Sequence, residues 1–247
     1  MRPLLLFSLF CVVWEALVRV TGVPAFILPG PMRVAAALAN NASFLAENAL
    51  VTLLEIVLGM FVGVSLGCLA ALALSASRGA RAWLLPLVVA SQAIPIFAIA
   101  PLLVLWLGFG LASKVAAAAL VIFFPVASVF YDGLARVERG WLDLAQVMNA
   151  KPAAILWRVR LPAALPALAS GLRMAAAIAP IGAIIGEWVG AAAGLGFVML
   201  QANAQMQTDL MFAALLVLAT FAVLFYRLID RLALRLAPWQ PPTHSTV

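Results

Sequence analysis

The stretch Asp143–Pro166, DLAQVMNAKPAAILWRVRLPAALP, decides how the rest of the chain is interpreted. Its 24 residues include three basic residues and three prolines, whereas the chain as a whole is 66% hydrophobic and only 10% charged. Soluble domains are about 45–50% apolar and about 25% charged, so the composition indicates an integral membrane protein. The quoted stretch is the longest part that does not suit the interior of a lipid bilayer.

Six apolar runs are long enough to cross a membrane as helices, at roughly 20 residues for each span. They cover approximately residues 4–20, 48–74, 83–107, 113–131, 169–190 and 209–236. Between the first two runs, a Pro-Gly-Pro turn and a mildly amphipathic stretch predict a short helix at the membrane surface. We expect an all-α integral membrane protein with one transmembrane domain, residues 1–240, followed by a polar tail, residues 241–247.

Lysine and arginine lie mainly on one side of these runs. With the N-terminus inside the cell, the inner side holds eleven of them: Arg2, Arg78, Arg81, Arg136, Arg139, Lys151, Arg158, Arg160, Arg227, Arg231 and Arg235. The outer side holds three: Arg19, Arg33 and Lys114. The positive-inside rule therefore predicts that both termini and the quoted stretch are cytoplasmic. The net charge of +6 is accordingly interpreted as a topology signal and not as a nucleic-acid surface.

Two runs carry glycines four residues apart. They are Gly59, Gly63 and Gly67 in the second run, and Gly182, Gly186, Gly190 and Gly194 in and after the fifth. In lipid, such stripes allow helix backbones to approach closely. Packing within one subunit and packing across a subunit boundary are both open alternatives.

The third run contains three prolines, Pro86, Pro95 and Pro101. Each lacks a backbone N–H and is expected to kink or break the helix. Ser91 and Gln92 lie one turn before Pro95. Carbonyls freed by a break must bond to neighbours or face a watery cavity, so a broken helix with polar groups is typical of a transport path. A kinked structural helix is the alternative.

The quoted stretch itself predicts a rigid protrusion. Leu142–Met148 can form two helical turns, and Asn149 follows, a residue type that is common at left-handed helix C-termini. Pro152 prevents simple continuation, and a second helical piece, 153–160, is expected to end at Leu161–Pro162. A rigid helix–turn–helix on the cytoplasmic side of a membrane domain suits docking to a partner protein.

At these residues the chain resembles the permease subunits of binding-protein-dependent ABC importers, whose signature is E-A-A, three residues, G, nine residues, I-x-L-P. The matching positions, with the spacing kept, are Asp143, Leu144, Ala145, Asn149, Val159, Leu161 and Pro162. Leu144 is bulkier than the usual alanine, and Pro152 is an additional constraint. Both differences bear on the fit to a partner.

The segments GVPAFILPGP, QAIPIFAIAPLLVLWLGFG and GEWVGAAAGLG resemble the nitrate/sulfonate/taurine-type branch, and the last two are most similar to permeases for thiamine-precursor (hydroxymethylpyrimidine) uptake. The resemblance implies a type I ABC importer permease fold with six transmembrane helices in the cell inner membrane, surrounded by lipid and working as a homodimer. It implies ATP-binding cassette subunits on a coupling segment, about 132–168, and a substrate-binding protein outside. The chain lacks G-x-x-x-x-G-K-[ST], so we expect a transport subunit and not an enzyme. No cofactor or metal is expected.

Seven polar and aromatic residues are candidates for the substrate path: Ser91, Gln92, Phe97, Trp106, Glu187, Trp188 and Asn203. The set suits a neutral or weakly cationic heteroaromatic solute held by stacking and amide hydrogen bonds, although each aromatic ring is equally suited to anchoring at the membrane interface. Glu187 leads the set because charged groups within spans are costly and usually functional. Glu15 and Glu55 are expected to be solvated or interhelical. Apart from Arg173 near the cytoplasmic face, basic residues are scarce at mid-membrane, which disfavours an anion.

Three other functions are weighed against the heteroaromatic importer. A permease for nitrate, a sulfonate or taurine fits the same branch. An ATP-independent secondary transporter would need carboxylates at mid-depth and an internal repeat, and no clear repeat is present. A membrane enzyme would show clustered His, Asp or Cys, but the single histidine, His244, lies in the polar tail.

Overall fold

The computed structural model describes residues 2–239, and every regular element in this range is a helix. The bounds are α1 Arg2–Thr21, α2 Pro31–Asn40, α3 Ala42–Ala76, α4 Arg78–Ala93, α5 Ile96–Leu107, α6 Leu111–Ala135, α7 Arg139–Val147, α8 Pro152–Ile155, α9 Leu161–Gly190, α10 Leu195–Ala204 and α11 Thr208–Leu236. A π-helical turn, Leu156–Arg160, joins α8 to α9. The all-α prediction is confirmed. The predicted tail, 241–247, with His244 lies outside the described residues.

Long apolar helices account for four or five of the six predicted spans. Four helical stretches are long and apolar enough to cross a membrane: Ala42–Ala76, Leu111–Ala135, Pro152–Gly190 and Thr208–Leu236. The bent pair α4–α5 forms a fifth, and the first predicted run coincides with α1. On α1, Glu15 pairs with the exposed Arg19 at 2.7 Å. The predicted short helix is α2, and its Pro31 occupies a first-turn position where a missing N–H costs little.

Helices α3, α6 and α9 form the centre of the bundle, and their glycines set how closely the backbones approach. A Cβ placed on Gly63 would lie 2.8 Å from Cβ of Ile122 on α6. A Cβ placed on Gly182 of α9 would lie 2.8 Å from Cα of Ala118, also on α6. Both separations are shorter than real Cβ atoms show. Gly59, Gly63, Gly67, Gly182 and Gly186 therefore pack against α6 within one chain, whereas Gly190 faces Val104 of α5 and Gly194 faces Glu187. The structure thus shows packing within one subunit for both stripes.

The third predicted run breaks at one proline and not at three. Pro95 immediately precedes α5, at the point where α4 and α5 are bent by 102°. Pro86 lies inside α4 and Pro101 inside α5, and neither ends its helix. With 12 residues, α5 is about 18 Å long, which is shorter than the roughly 30 Å hydrocarbon core. The break therefore leaves a helical half that does not cross the membrane by itself.

The fifth run begins much earlier than predicted. The second helical piece does not end at Leu161–Pro162 but continues through the π-helical turn into α9, forming a 39-residue helical stretch, Pro152–Gly190. In the turn, the N–H of Leu161 bonds to the carbonyl of Leu156, five residues back. This wider turn accommodates Pro162, whose ring would clash with the carbonyl four residues back in a regular α-helix. The prediction that Pro162 ends the helix is wrong.

Candidate functional site

The segment between α6 and α9 turns sharply after α7 at Asn149. Its φ of 58° lies in the left-handed region. The Asn149 N–H donates to the carbonyl of Gln146 at 2.9 Å, and the Ala150 N–H donates to the carbonyl of Ala145 at 3.0 Å. These two bonds form a Schellman motif, which satisfies carbonyls that a helix end would otherwise leave unpaired. The predicted helix, turn and new helix starting at Pro152 are therefore confirmed.

A cavity of about 550 Å³ lies between α7 and the start of α9 and is called the coupling groove here. It is lined by Trp141, Leu144, Ala145, Met148, Arg158, Val159, Pro162, Ala163 and Trp239. Four of these residues belong to the seven signature positions. Of the other three, Asp143 and Asn149 are exposed, and Leu161 packs against the core. Sequence reasoning missed Trp239, because no local pattern links the end of α11 to the signature.

Four of the predicted path residues lie beside one face of α9. Ser91 and Gln92 line a cavity of about 220 Å³ at the α4–α5 bend, and Ile181 of α9 forms part of its wall. Trp188 lies seven residues after Ile181 and therefore on the same face of α9. The ring of Trp188 contacts Phe97, with centroids 6.1 Å apart and planes tilted by 40°. These five residues define the path face.

Ser91 and Gln92 are the hydrogen-bonding side chains of the path face, and they differ in whether they already bond within the chain. The Ser91 hydroxyl donates to the carbonyl of Val88 at 2.6 Å, so only its lone pairs are left for a solute. Gln92 is exposed and offers both a donor and an acceptor. Two predicted path residues lie elsewhere: Trp106 is exposed at the end of α5, and Asn203 is exposed on α10.

Glu187 does not belong to the path face, although it precedes Trp188. It is only 1% exposed, and its carboxylate bonds within the bundle. The Thr52 hydroxyl donates to Oε1 at 2.6 Å, and the Gly196 N–H donates to Oε2 at 2.5 Å. A buried carboxylate needs such partners, because its desolvation is otherwise very costly. The geometry therefore places Glu187 between α3 and α10, with both carboxylate oxygens bonded within the chain.

The basic side chains of α6 and α9 are both paired with carboxylates. Lys114 Nζ lies 3.5 Å from Glu55 Oε1, and both side chains are buried. Arg173 Nε lies 2.5 Å from Asp230 Oδ1 on α11. Glu55 is therefore interhelical, one of the two predicted possibilities. Within residues 2–239, no group of three or more His, Cys, Asp or Glu residues could hold a metal ion.

Long apolar helices, one of them broken at a proline, and a tight turn between two helices are the features expected of a membrane permease. The chain belongs to the family described as binding-protein-dependent transport system inner membrane component, which matches residues 63–238. It is 50% identical over 230 residues to a probable ABC transporter permease protein of Haemophilus influenzae, covering 93% of this chain and 94% of the relative.

Two further relatives have named solutes. The formylaminopyrimidine transport permease protein ThiX of Halalkalibacterium halodurans is 34% identical over 97% of this chain and 96% of its own length. The taurine transport system permease protein TauC of Escherichia coli is 31% identical over 92% of this chain and 85% of its own length. These relatives confirm the resemblance to the nitrate/sulfonate/taurine-type branch.

The fold matches a solved importer. A chain of the MetNI methionine ABC transporter in an inward-facing conformation superposes with a TM-score of 0.70 at 21% identity. The match covers 80% of this chain and 98% of that chain. The type I ABC importer permease fold is therefore confirmed.

Proposed function

We propose that this permease imports a small neutral heteroaromatic solute, such as a pyrimidine precursor of thiamine, along the path face. One observation carries the proposal. The path face offers aromatic rings and an amide, whereas the cations of α6 and α9, Lys114 and Arg173, are already paired with carboxylates. Phe97 and Trp188 offer aromatic surfaces, and Gln92 offers an amide that can bond to ring nitrogens. A neutral flat ring uses both, whereas an anion would seek a cation. The 34% identity to a formylaminopyrimidine permease supports the same solute class.

The coupling groove is proposed to receive the ATP-binding cassette subunit that hydrolyses ATP. Trp141, Leu144 and Met148 are 55%, 61% and 73% exposed, respectively. On a segment that lies in the cytoplasm, such an apolar cluster favours a protein partner. The four signature residues in the same groove support an ATPase subunit as that partner. Trp239 extends this proposed docking surface to the C-terminal end of α11.

A homodimer is proposed as the working unit. The cavity at the α4–α5 bend is about 220 Å³, which is smaller than the roughly 300–1,000 Å³ of typical ligand sites. A second copy facing the first would enclose a larger space. In the same proposal, residues 1–240 form a single domain in the inner membrane with coupling segment 132–168 and both termini cytoplasmic, and a substrate-binding protein delivers the solute from outside.

The test is uptake by the permease reconstituted in proteoliposomes with its ATPase and binding protein. We expect ATP-dependent uptake of labelled formylaminopyrimidine in preference to taurine and nitrate. Trp188→Ala should lower this uptake roughly two- to tenfold, the range expected when an aromatic contact is lost. Phe61→Ala is the control, because Phe61 is 71% exposed on α3 and takes part neither in the cavity at the α4–α5 bend nor in the Phe97–Trp188 contact.

An anion permease is the second candidate, and the 31% identity to a taurine permease favours it. Selective ATP-dependent uptake of taurine or nitrate would establish it. Specificity would then reside in the binding protein, since the cations of α6 and α9 are already paired. Uptake that persists without ATP and without the ATPase would instead establish a secondary transporter.

A further inference from the structure

The start of α10 is held by side chains of α3. The first four N–H groups of a helix have no partner inside it and need one elsewhere. The Gly194 N–H donates to Oδ1 of Asn48 at 2.8 Å. The Leu195 N–H donates to Oγ1 of Thr52, also at 2.8 Å. Two of the four groups are therefore satisfied by one turn of α3.

Glu187 of α9 satisfies the other two. Its Oε2 accepts from the N–H of Gly196 at 2.5 Å and from the N–H of Phe197 at 3.3 Å. Its Oε1 accepts from the Thr52 hydroxyl at 2.6 Å. The Thr52 hydroxyl thus accepts a hydrogen bond from α10 and donates one to α9. A carboxylate at a helix N-terminus also interacts favourably with the helix dipole. We call Asn48, Thr52 and Glu187 the α10 anchor.

Two glycines make room for this anchor. Gly194 has a φ of 112°, which disfavours any residue with a Cβ, and a Cβ there would overlap the Glu187 carboxyl group. A Cβ on Gly196 would lie 2.8 Å from Oε2 of Glu187. In the segment GEWVGAAAGLG, the missing side chains of these two glycines therefore leave the space that the Glu187 carboxyl group occupies. The segment encodes a buried helix cap.

Glu187 of the α10 anchor is adjacent in sequence to Trp188 of the path face. Glu187 is 1% exposed and Trp188 is 41% exposed, because successive residues of an α-helix point about 100° apart. Both lie in the last turn of α9, which ends at Gly190. Helix ends fray when nothing holds them. Bonds from Glu187 to α3 and α10 fix this last turn and, with it, the direction in which Trp188 projects.

We propose that Glu187 and Thr52 are positioning residues for transport, which hold Trp188 against Phe97 without touching the solute. This inference rests on the proposed path face. It assigns Glu187 the function of orienting Trp188, which differs from the solute binding expected from the sequence. It also predicts that removing the Thr52 hydroxyl impairs transport only while Trp188 is present to be positioned.

The test is a double-mutant cycle on the reconstituted complex of permease, ATPase and binding protein, with labelled formylaminopyrimidine as the probe. Thr52→Val keeps the shape of the side chain and removes the hydroxyl, whereas Thr52→Ser keeps the hydroxyl. We expect Thr52→Val to lower uptake roughly two- to tenfold, by no more than Trp188→Ala itself, and Thr52→Ser to stay near wild type. In the Trp188→Ala background, Thr52→Val should change uptake less than about twofold.

Three outcomes overturn the inference. Equal losses from Thr52→Val in both backgrounds would show that the anchor is only structural. Equal losses from Thr52→Val and Thr52→Ser would show that the hydroxyl is irrelevant. Unchanged uptake in Trp188→Ala alone would refute the path face itself, and the positioning role with it. The amount of permease in the membrane and its ATPase copurification are measured for every variant.

If Thr52→Val does not accumulate in the membrane, Gly196→Ala replaces it in the same cycle. Its Cβ presses on the Glu187 carboxylate from the α10 side. Gly79→Ala is the matched control, since a Cβ on Gly79 meets nothing within 4 Å. A loss from Gly196→Ala that disappears in the Trp188→Ala background supports positioning, and a loss that persists there overturns it.

Discussion

Replacing Asn149 by alanine should weaken docking of the ATPase, because the coupling turn needs a left-handed residue at this position. With φ at 58°, a residue with a Cβ incurs roughly 1–2 kcal/mol of strain, and asparagine relieves part of it through local hydrogen bonds. Glycine has no such strain. We therefore expect Asn149→Ala to destabilise the turn by about 1 kcal/mol and Asn149→Gly to leave it intact.

The two Asn149 variants can be compared in one binding assay. Purified permease in lipid nanodiscs is titrated with the ATPase subunit, and the dissociation constant is measured for wild type and both variants. A cost of about 1 kcal/mol corresponds to roughly fivefold weaker binding for Asn149→Ala. Asn149→Gly, which introduces the glycine of the family signature, should bind as well as wild type. Wild-type affinity for Asn149→Ala, or weaker binding for Asn149→Gly than for Asn149→Ala, would refute the role of the left-handed turn.

Two more predictions concern the topology and the α10 anchor. In a background without native cysteines, cysteines at Asn41 and Ala192 should react with an impermeant thiol reagent in intact cells. One at Ala150 should react only after permeabilisation, and the reverse pattern would overturn the orientation. Gly194→Ala should strongly reduce the amount of folded permease in the membrane, whereas Gly79→Ala should not, because only the first adds a Cβ that overlaps the Glu187 carboxyl. Equal amounts of the two variants, measured by fluorescence size-exclusion chromatography, would contradict this account.

The features that could be predicted from the sequence depend on local physics. Apolar runs of about 20 residues mark spans because the bilayer thickness sets their length. The break at Pro95 and the left-handed turn at Asn149 follow from backbone constraints of single residues. None of these features needs knowledge of distant contacts, which is why the sequence was sufficient for them.

The features that were missed depend on contacts between distant segments. A carboxylate inside an apolar run indicates either a solute contact or a buried partner, and for Glu187 the partner is Thr52, 135 residues away in the chain. The continuation of the helix through Pro162 depends on a π-helical turn that local propensity does not predict. Trp239 reaches the coupling groove only because α11 returns there.

The unbroken helical stretch Pro152–Gly190 has a mechanical consequence. At 39 residues it is about 58 Å long, with the coupling groove near one end and the Glu187 cap near the other. A rod tilted by roughly 5° about its midpoint moves its two ends by about 2.5 Å in opposite directions. In the proposed importer, a displacement of the groove end would therefore move the capped end in the opposite direction. One helical stretch thus links the proposed ATPase-docking groove to the end of α9 that carries Trp188.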